Sequence, residues 1–260
     1  MYSSGGLSGP GWGLSTIRGG VHMANLKERI HQGETIVGVS TRVTIERDRL
    51  EALIEAGPYD FIWVDSQHEP FNEERLVEFC LMAQEMGVPV QLRIKHTRLA
   101  SLAGAYLDLG PSGVEIPQVE TSATVDDAIE GFYYPQFGKR SWGGLPRVGI
   151  QERSDRLEYA DWWGKTGVLW VQIESVEAVT KAREFAKPGV DCLSFGPADL
   201  SFSLEAHPHH PFKNVDDCVR YVVEQLRDTD ATVCFRNYAP SARQKYIDMG
   251  VTVLLEHLDL

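Results

Sequence analysis

No stretch of this 260-residue sequence approaches the roughly 20 consecutive apolar residues that a membrane-spanning helix needs. Cysteine is scarce. Cys80, Cys192, Cys218 and Cys234 form no C-x-x-C pair, and each sits in a largely apolar stretch. They read as buried thiols in a reducing cytosol, not as a disulfide framework. Basic charge is also short: the formal net charge is -12, and no Lys/Arg run is long enough to offset it locally. Such a chain repels phosphate backbones, which argues against nucleic acid as a partner. No G-x-G-x-x-G follows the first apolar run, so a dinucleotide-binding open sheet has little support. The first 22 residues are Gly- and Ser-rich and lack the apolar core of a signal peptide. The run Gly19-Gly-Val-His-Met23 reads as a leader or vector junction. The folded domain is therefore expected over residues 23–260, in a cytoplasmic protein with no membrane partner.

What is present is a large apolar content, 43% of residues, arranged in a repeating pattern. Short apolar runs fall at residues 35–40, 60–65, 88–94, 113–117, 168–174, 191–196, 231–236 and 251–256. They are often rich in β-branched residues and do not strictly alternate, as expected of parallel strands buried on both faces. Between them lie stretches of helical period at 45–56, 72–86, 98–109, 178–186 and 215–226. Eight strands with intervening helices predict an α/β chain with a parallel sheet, closed as a TIM-type (β/α)8 barrel; an open doubly wound sheet is the alternative. Two irregularities stand out. The stretch 132–167 holds Trp142, Trp162 and Trp163 and predicts a long connection with one internal helix near 153–163. The eighth run stops four residues before Leu260, so the last helix is expected to be missing and that face covered by a partner subunit.

Catalytic groups of such barrels stand at the C-terminal ends of the strands. The second run ends in Asp65, followed by Ser66, Gln67 and His68. The third carries Arg93, a charge in an otherwise apolar strand that needs a partner. Gln118 and Glu120 follow the fourth; the fifth ends in Gln172 and Glu174; the sixth runs into Gly196, Pro197, Ala198 and Asp199. Glu174 and Asp199 end neighbouring strands, and two such carboxylates suit Mg²⁺ or Mn²⁺; alternatively they mark helix starts, with Asp199 as a cap. His68, close to Asp65, is the candidate base; the alternative is a surface-loop histidine. The turn at 196–201 presents backbone N–H groups to a small anion, or is an ordinary tight turn. His207, His209 and His210 have neither the Cys partner nor the helical spacing of a metal site and read as loop.

Several segments carry a resemblance. They are Trp63-Val-Asp-Ser-Gln-His68, Pro89-Val-Gln-Leu-Arg93, Leu107-Asp-Leu-Gly110, Gly113-Val-Glu-Ile-Pro117, Tyr134-Pro-Gln-Phe-Gly-Lys-Arg140, Val171-Gln-Ile-Glu174 and Gly196-Pro-Ala-Asp-Leu-Ser201. Together, over nearly all of residues 26–256, the sequence resembles the HpcH/HpaI aldolase/citrate lyase family, in its class II, metal-dependent pyruvate aldolase branch. The resemblance implies a carbon–carbon lyase that cleaves a 4-hydroxy-2-oxo acid to pyruvate and an aldehyde. It implies Glu174 and Asp199 as ligands of a divalent cation (Mg²⁺, Mn²⁺ or Co²⁺) and His68 as general base. Arg93 then holds the pyruvate carbonyl oxygen, Gln172 lies beside the bound substrate, and Gly196, Pro197 and Ala198 form the turn that receives its carboxylate. Asp108 matches an acid that supports the histidine across a subunit boundary, so a homo-oligomer is implied. This chain departs from the family in having Ser66-Gln67 before the histidine, where relatives usually have Gly-Glu, and in ending before the last helix. Rival readings are a citramalyl- or malyl-CoA type lyase, an oxaloacetate decarboxylase, and a non-catalytic barrel that binds a keto acid.

Overall fold

A computed structural model describes residues 25–258; the expected leader over residues 1–22 lies outside them. Eight parallel strands close into a barrel in sequence order: β1 (Ile36–Thr41), β2 (Phe61–Asp65), β3 (Val90–Arg93), β4 (Gly113–Ile116), β5 (Val168–Ile173), β6 (Cys192–Phe195), β7 (Thr232–Tyr238) and β8 (Val253–His257). β8 pairs with β1 and seals the ring. All eight expected strands are present, each within two residues of its expected ends, and the open sheet is set aside.

Two apolar layers hold the barrel. Inside it, Ile36, Phe61, Trp63, Trp170, Cys192 and Cys234 pack with Val253 and Leu255 as a small core. Phe61 meets Trp170 edge-on at 5.3 Å. Gly38 makes room for this pair, because a Cβ there would lie 2.1 Å from the Phe61 ring. Outside the barrel, a larger core joins the other strand faces to the helices. Burial of both faces is why the strands read as continuous apolar runs.

The helices run as expected in most places. α2 (Arg47–Glu55), α3 (Glu73–Glu85) and α10 (Val215–Leu226) fall in the predicted segments. The segment 98–109 is a 3-10 turn over Thr97–Leu102 followed by α4 (Ala103–Leu107). The segment 178–186 is broken into α7 (Val176–Thr180) and α8 (Ala182–Phe185). The helix expected near 153–163 is α6 (Arg156–Thr166); its start is shifted by three residues because Asp155 caps it, accepting from the Leu157 and Glu158 amides. Further helices fall outside the predicted segments. α1 (Leu26–His31) closes the lower end of the barrel under a capping box of Asn25 and Glu28, and α5 (Ser122–Phe132) is capped by Thr121. α9 (Pro197–Ala206) and α11 (Arg243–Ile247) complete the ring. No helix follows β8 among the described residues. No helix among them is long and apolar enough to cross a membrane.

All four cysteines are buried free thiols. Burial pushes every one of them up, Cys218 to about 12, so none is primed as a nucleophile.

Candidate active site

The strands end in a cavity of about 340 Å³ at their C-terminal face. It gathers Asp65 and His68 from β2 and its loop, Arg93 from β3, Gln172 and Glu174 from β5, and Gly196, Pro197, Ala198 and Asp199 from β6 and α9. These residues, dispersed over 135 positions of sequence, meet because parallel strands deliver all their C-terminal ends to one face.

Arg93 and Asp65 are adjacent in register on β3 and β2. The guanidinium grips the carboxylate twice, Nε to Oδ1 at 2.9 Å and Nη2 to Oδ2 at 2.5 Å. Its Nη1 reaches Gln172 Oε1 at 3.4 Å. Burial alone would push the Asp65 carboxyl up, but the hydrogen bonds and charge of Arg93 outweigh it and hold it below the usual range. Asp65 also accepts from the Gln67 amide at 2.9 Å, which sets the turn leading to His68. His68 itself is exposed at the cavity edge.

Glu174 is the anomaly. It is 6% exposed, and neither carboxylate oxygen has a hydrogen-bond partner. Burial pushes its pKa up to about 7, the nearby charges of Asp199 and Glu115 add to this, and Arg93 and Arg236 partly offset it. A buried carboxylate without donors calls for a cation. The backbone leaves space for this acid: a Cβ on Gly196 would lie 2.0 Å from Glu174 Oε2. Among the described residues no group of three or more His, Cys, Asp or Glu converges as a ready-made metal cage. Two carboxylates with the remaining positions left to water and substrate is the pattern of an oxygen-bound divalent cation, and the pair Glu174 and Asp199 fits it.

Asp199 is not a helix cap. The N-cap of α9 is Gly196, Pro197 opens the helix, and Asp199 stands in its first turn, exposed to the cavity. Proline at the first position loses no intrahelical bond. The free donors of this helix end are the amides of Ala198 and Asp199.

Other expected residues lie elsewhere. Asp108 ends α4 just before β4, so it stands at the strands' N-terminal end, away from the cavity of its own chain; there Arg140 Nη2 donates to it at 2.7 Å. Gln118 and Glu120 do not line the cavity. The tryptophans of 132–167 supply no wall either. Trp163 is buried against Phe132, and Trp142 carries the Arg147 guanidinium on its face at 3.8 Å. The walls come instead from Ser40, Trp63, Tyr238 and His257. Tyr238 has φ 59°, a left-handed conformation uncommon for a non-glycine residue, at a β7 irregularity on the rim. His207 and His210 serve the loop after α9: the His207 ring bonds Ser203 O at 2.7 Å, and His210 Nδ1 accepts from the Phe212 amide at 3.2 Å.

Sequence reasoning missed two residues on the floor. Glu115 of β4 is fully buried and accepts from Trp63 Nε1 at 2.6 Å, from the Ser194 hydroxyl, and from Arg236 Nη2 at 2.9 and 2.7 Å. Arg236 of β7 lines the cavity. The signal was the one that exposed Arg93: a charge inside an apolar strand.

Known proteins resemble this chain in sequence and fold. The family model described as HpcH/HpaI aldolase/citrate lyase matches residues 51–244. The 2-keto-3-deoxy-L-rhamnonate aldolase of Escherichia coli K12 is 25% identical over 236 residues, covering 90% of this chain and 86% of the relative. A solved HpcH/HpaI aldolase from Desulfitobacterium hafniense superposes with TM-score 0.78 at 26% identity, covering 90% of each chain. A citrate synthase, SbnG, shares the fold with TM-score 0.75 at 22% identity, over 90% of this chain and 91% of that one. The matched segment runs from α2 to α11 and spans every acidic and basic group at the cavity except the ends of β8. On that extent of match, the chain belongs to the HpcH/HpaI aldolase/citrate lyase family.

Proposed function

We propose that the protein is a metal-dependent aldolase that cleaves a 4-hydroxy-2-oxo acid to pyruvate and an aldehyde, and runs the reverse condensation. The observation that carries this reading is Glu174, a buried carboxylate with both oxygens unpartnered beside Asp199. Glu174 and Asp199 would hold a divalent cation, Mg²⁺, Mn²⁺ or Co²⁺. When bound, such an ion supplies Lewis-acid polarisation of the substrate carbonyl.

The chain's own groups do the rest. Arg93, kept in one orientation by its two bonds to Asp65, lines the cavity with Nη1 donating to Gln172. A donor fixed in advance stabilises negative charge as it develops on the C2 oxygen. The first turn of α9 offers the Ala198 and Asp199 amides to the C1 carboxylate. Gln172, in van der Waals reach of the Gly196 turn, limits how the acid can sit. His68 stands at the open edge, where it would take the proton from the C4 hydroxyl in cleavage and return it in condensation. Asp108 is remote within one chain, so its support of a histidine requires a second copy; a cytoplasmic homo-oligomer follows from the same reading.

Release of pyruvate from a panel of 4-hydroxy-2-oxo acids, with Mn²⁺ or Mg²⁺ and again with EDTA, tests the proposal. Metal-dependent release supports it. No release by folded protein that binds metal favours a CoA lyase or a keto-acid-binding barrel.

A further inference from the structure

The floor of the cavity carries more hydrogen-bond donors than a simple 2-oxo acid can use. Pyruvate offers a carboxylate and one carbonyl. Those oxygens are matched by the cation site, the α9 amides and Arg93. Arg236 is left over. It is 9% exposed and faces the same cavity. Its Nη2 is spent on Glu115. Its Nε is buried with no partner, and among the described residues Nη1 makes no hydrogen bond either.

Its place is fixed. β6 and β7 pair Phe195 with Phe235, so Arg236 stands beside Gly196, the residue that opens the proposed carboxylate turn. The guanidinium lies 4.1 Å from the Trp63 ring, and that of Arg93 lies 5.0 Å from the same ring. Glu115 is itself held by Trp63 and Ser194 and cannot swing away. Nε is sealed from the cavity, so Nη1 is the donor left for a ligand, and a clamped guanidinium with that donor unused is incomplete. The group that completes it must be an acceptor, and the guanidinium's charge favours an anionic one, a carboxylate.

We infer that Arg236 is a specificity-determining residue that binds a second carboxylate on the ligand, beyond the carboxylate and carbonyl of a simple 2-oxo acid. The keto-acid half then sits between Arg93 and Arg236, and the site favours dicarboxylic substrates over monocarboxylic ones. This rests on the proposed function only for where the 2-oxo acid lies.

Lactate and malate test it, because they differ by one carboxylate on C3 and neither is cleaved. Their binding to the Mg²⁺-loaded protein is followed by calorimetry and by the fluorescence of Trp63, which Arg236 overlies. Wild type is expected to bind malate at least about thirtyfold more tightly than lactate, the range of one charge-assisted contact in a buried site. Removing the guanidinium alone would leave Glu115 buried and unpaired, so the variant is Arg236→Met with Glu115→Gln. It is expected to bind the two acids within about threefold of each other. Arg236→Lys keeps the charge opposite Glu115 but has no second nitrogen to reach the ligand; its preference should fall at least about fivefold. A purely structural Arg236 would change the melting temperature and leave the preference intact. Equal binding of both acids by wild type, binding of neither, or a preference that survives in both variants overturns the assignment. Pyruvate release is measured separately on the same wild-type preparation, so failure of the aldolase reading is seen as its own result.

Discussion

Two buried acids at opposite ends of the barrel are treated in opposite ways. Asp191 precedes β6 at the lower end; Glu174 follows β5 at the upper end. Asp191 is completely served. Lys27 pairs with it at 3.1 Å, the His31 ring reaches it at 2.7 Å, and the Leu169 amide donates to it at 2.7 Å. Lys27 in turn donates to Tyr133 Oη at 2.9 Å and Gly167 O at 3.0 Å. Glu174 has no donor on either oxygen. A closed network holds structure together; an open one, in a cavity, waits for a ligand. The difference separates stability from function within one fold.

That contrast can be broken from either end. The largest effect is expected from Glu174→Ala, which should lower metal-dependent pyruvate release by at least about 10³-fold, about 4 kcal/mol in the barrier. Its melting temperature should stay level or rise, since a buried unpaired acid is removed. A variant that melts earlier and keeps its activity would reverse the roles of the two ends. The lower end should answer the other way. Lys27→Met strands the Asp191 carboxylate and should cost about 3 kcal/mol of unfolding free energy in urea titration, with activity per folded molecule unchanged.

A pH profile sharpens the comparison. In the cation-free chain Glu174 has a folded pKa of about 7 against an ordinary 4.5. Between those values the folded chain holds a proton that the unfolded chain has released. Its contribution is therefore fully present below pH 4.5 and is lost as pH rises through 7, on the order of 3 kcal/mol. Urea titrations in EDTA should show this decline in wild type and not in Glu174→Gln. The smallest effect belongs to the loop after α9: His207→Ala should shift stability by no more than about 0.5 kcal/mol and leave metal binding unchanged.

Much of this was legible in the sequence, for stated reasons. Strands buried on both faces announce themselves as apolar runs, so β1 to β8 could be counted. Strand ends were legible too, which located Asp65, Arg93, Glu174 and Asp199 at one face. Short elements were not. α1 has six residues and rests on a capping box rather than on an apolar stripe, and the segment 178–186 breaks where Lys181 leaves helical geometry. The three tryptophans of the 132–167 connection could be core or pocket wall on sequence alone, with core the default; they pack on Phe132, Tyr134, Tyr159 and Arg147. Glu115 and Arg236 each carried the signal of a single charge in an apolar strand, but their pairing was not legible: only the fold shows that β4 and β7 point them at each other across the barrel.

The central claim is that Glu174 is an open ligand awaiting a divalent cation. Titration of Mn²⁺ into wild type and Glu174→Ala, followed by the electron paramagnetic resonance signal of free Mn²⁺, tests it most directly. The account predicts one site per chain in wild type and its loss in the variant, with both proteins equally folded. Equal Mn²⁺ uptake by the two would contradict it.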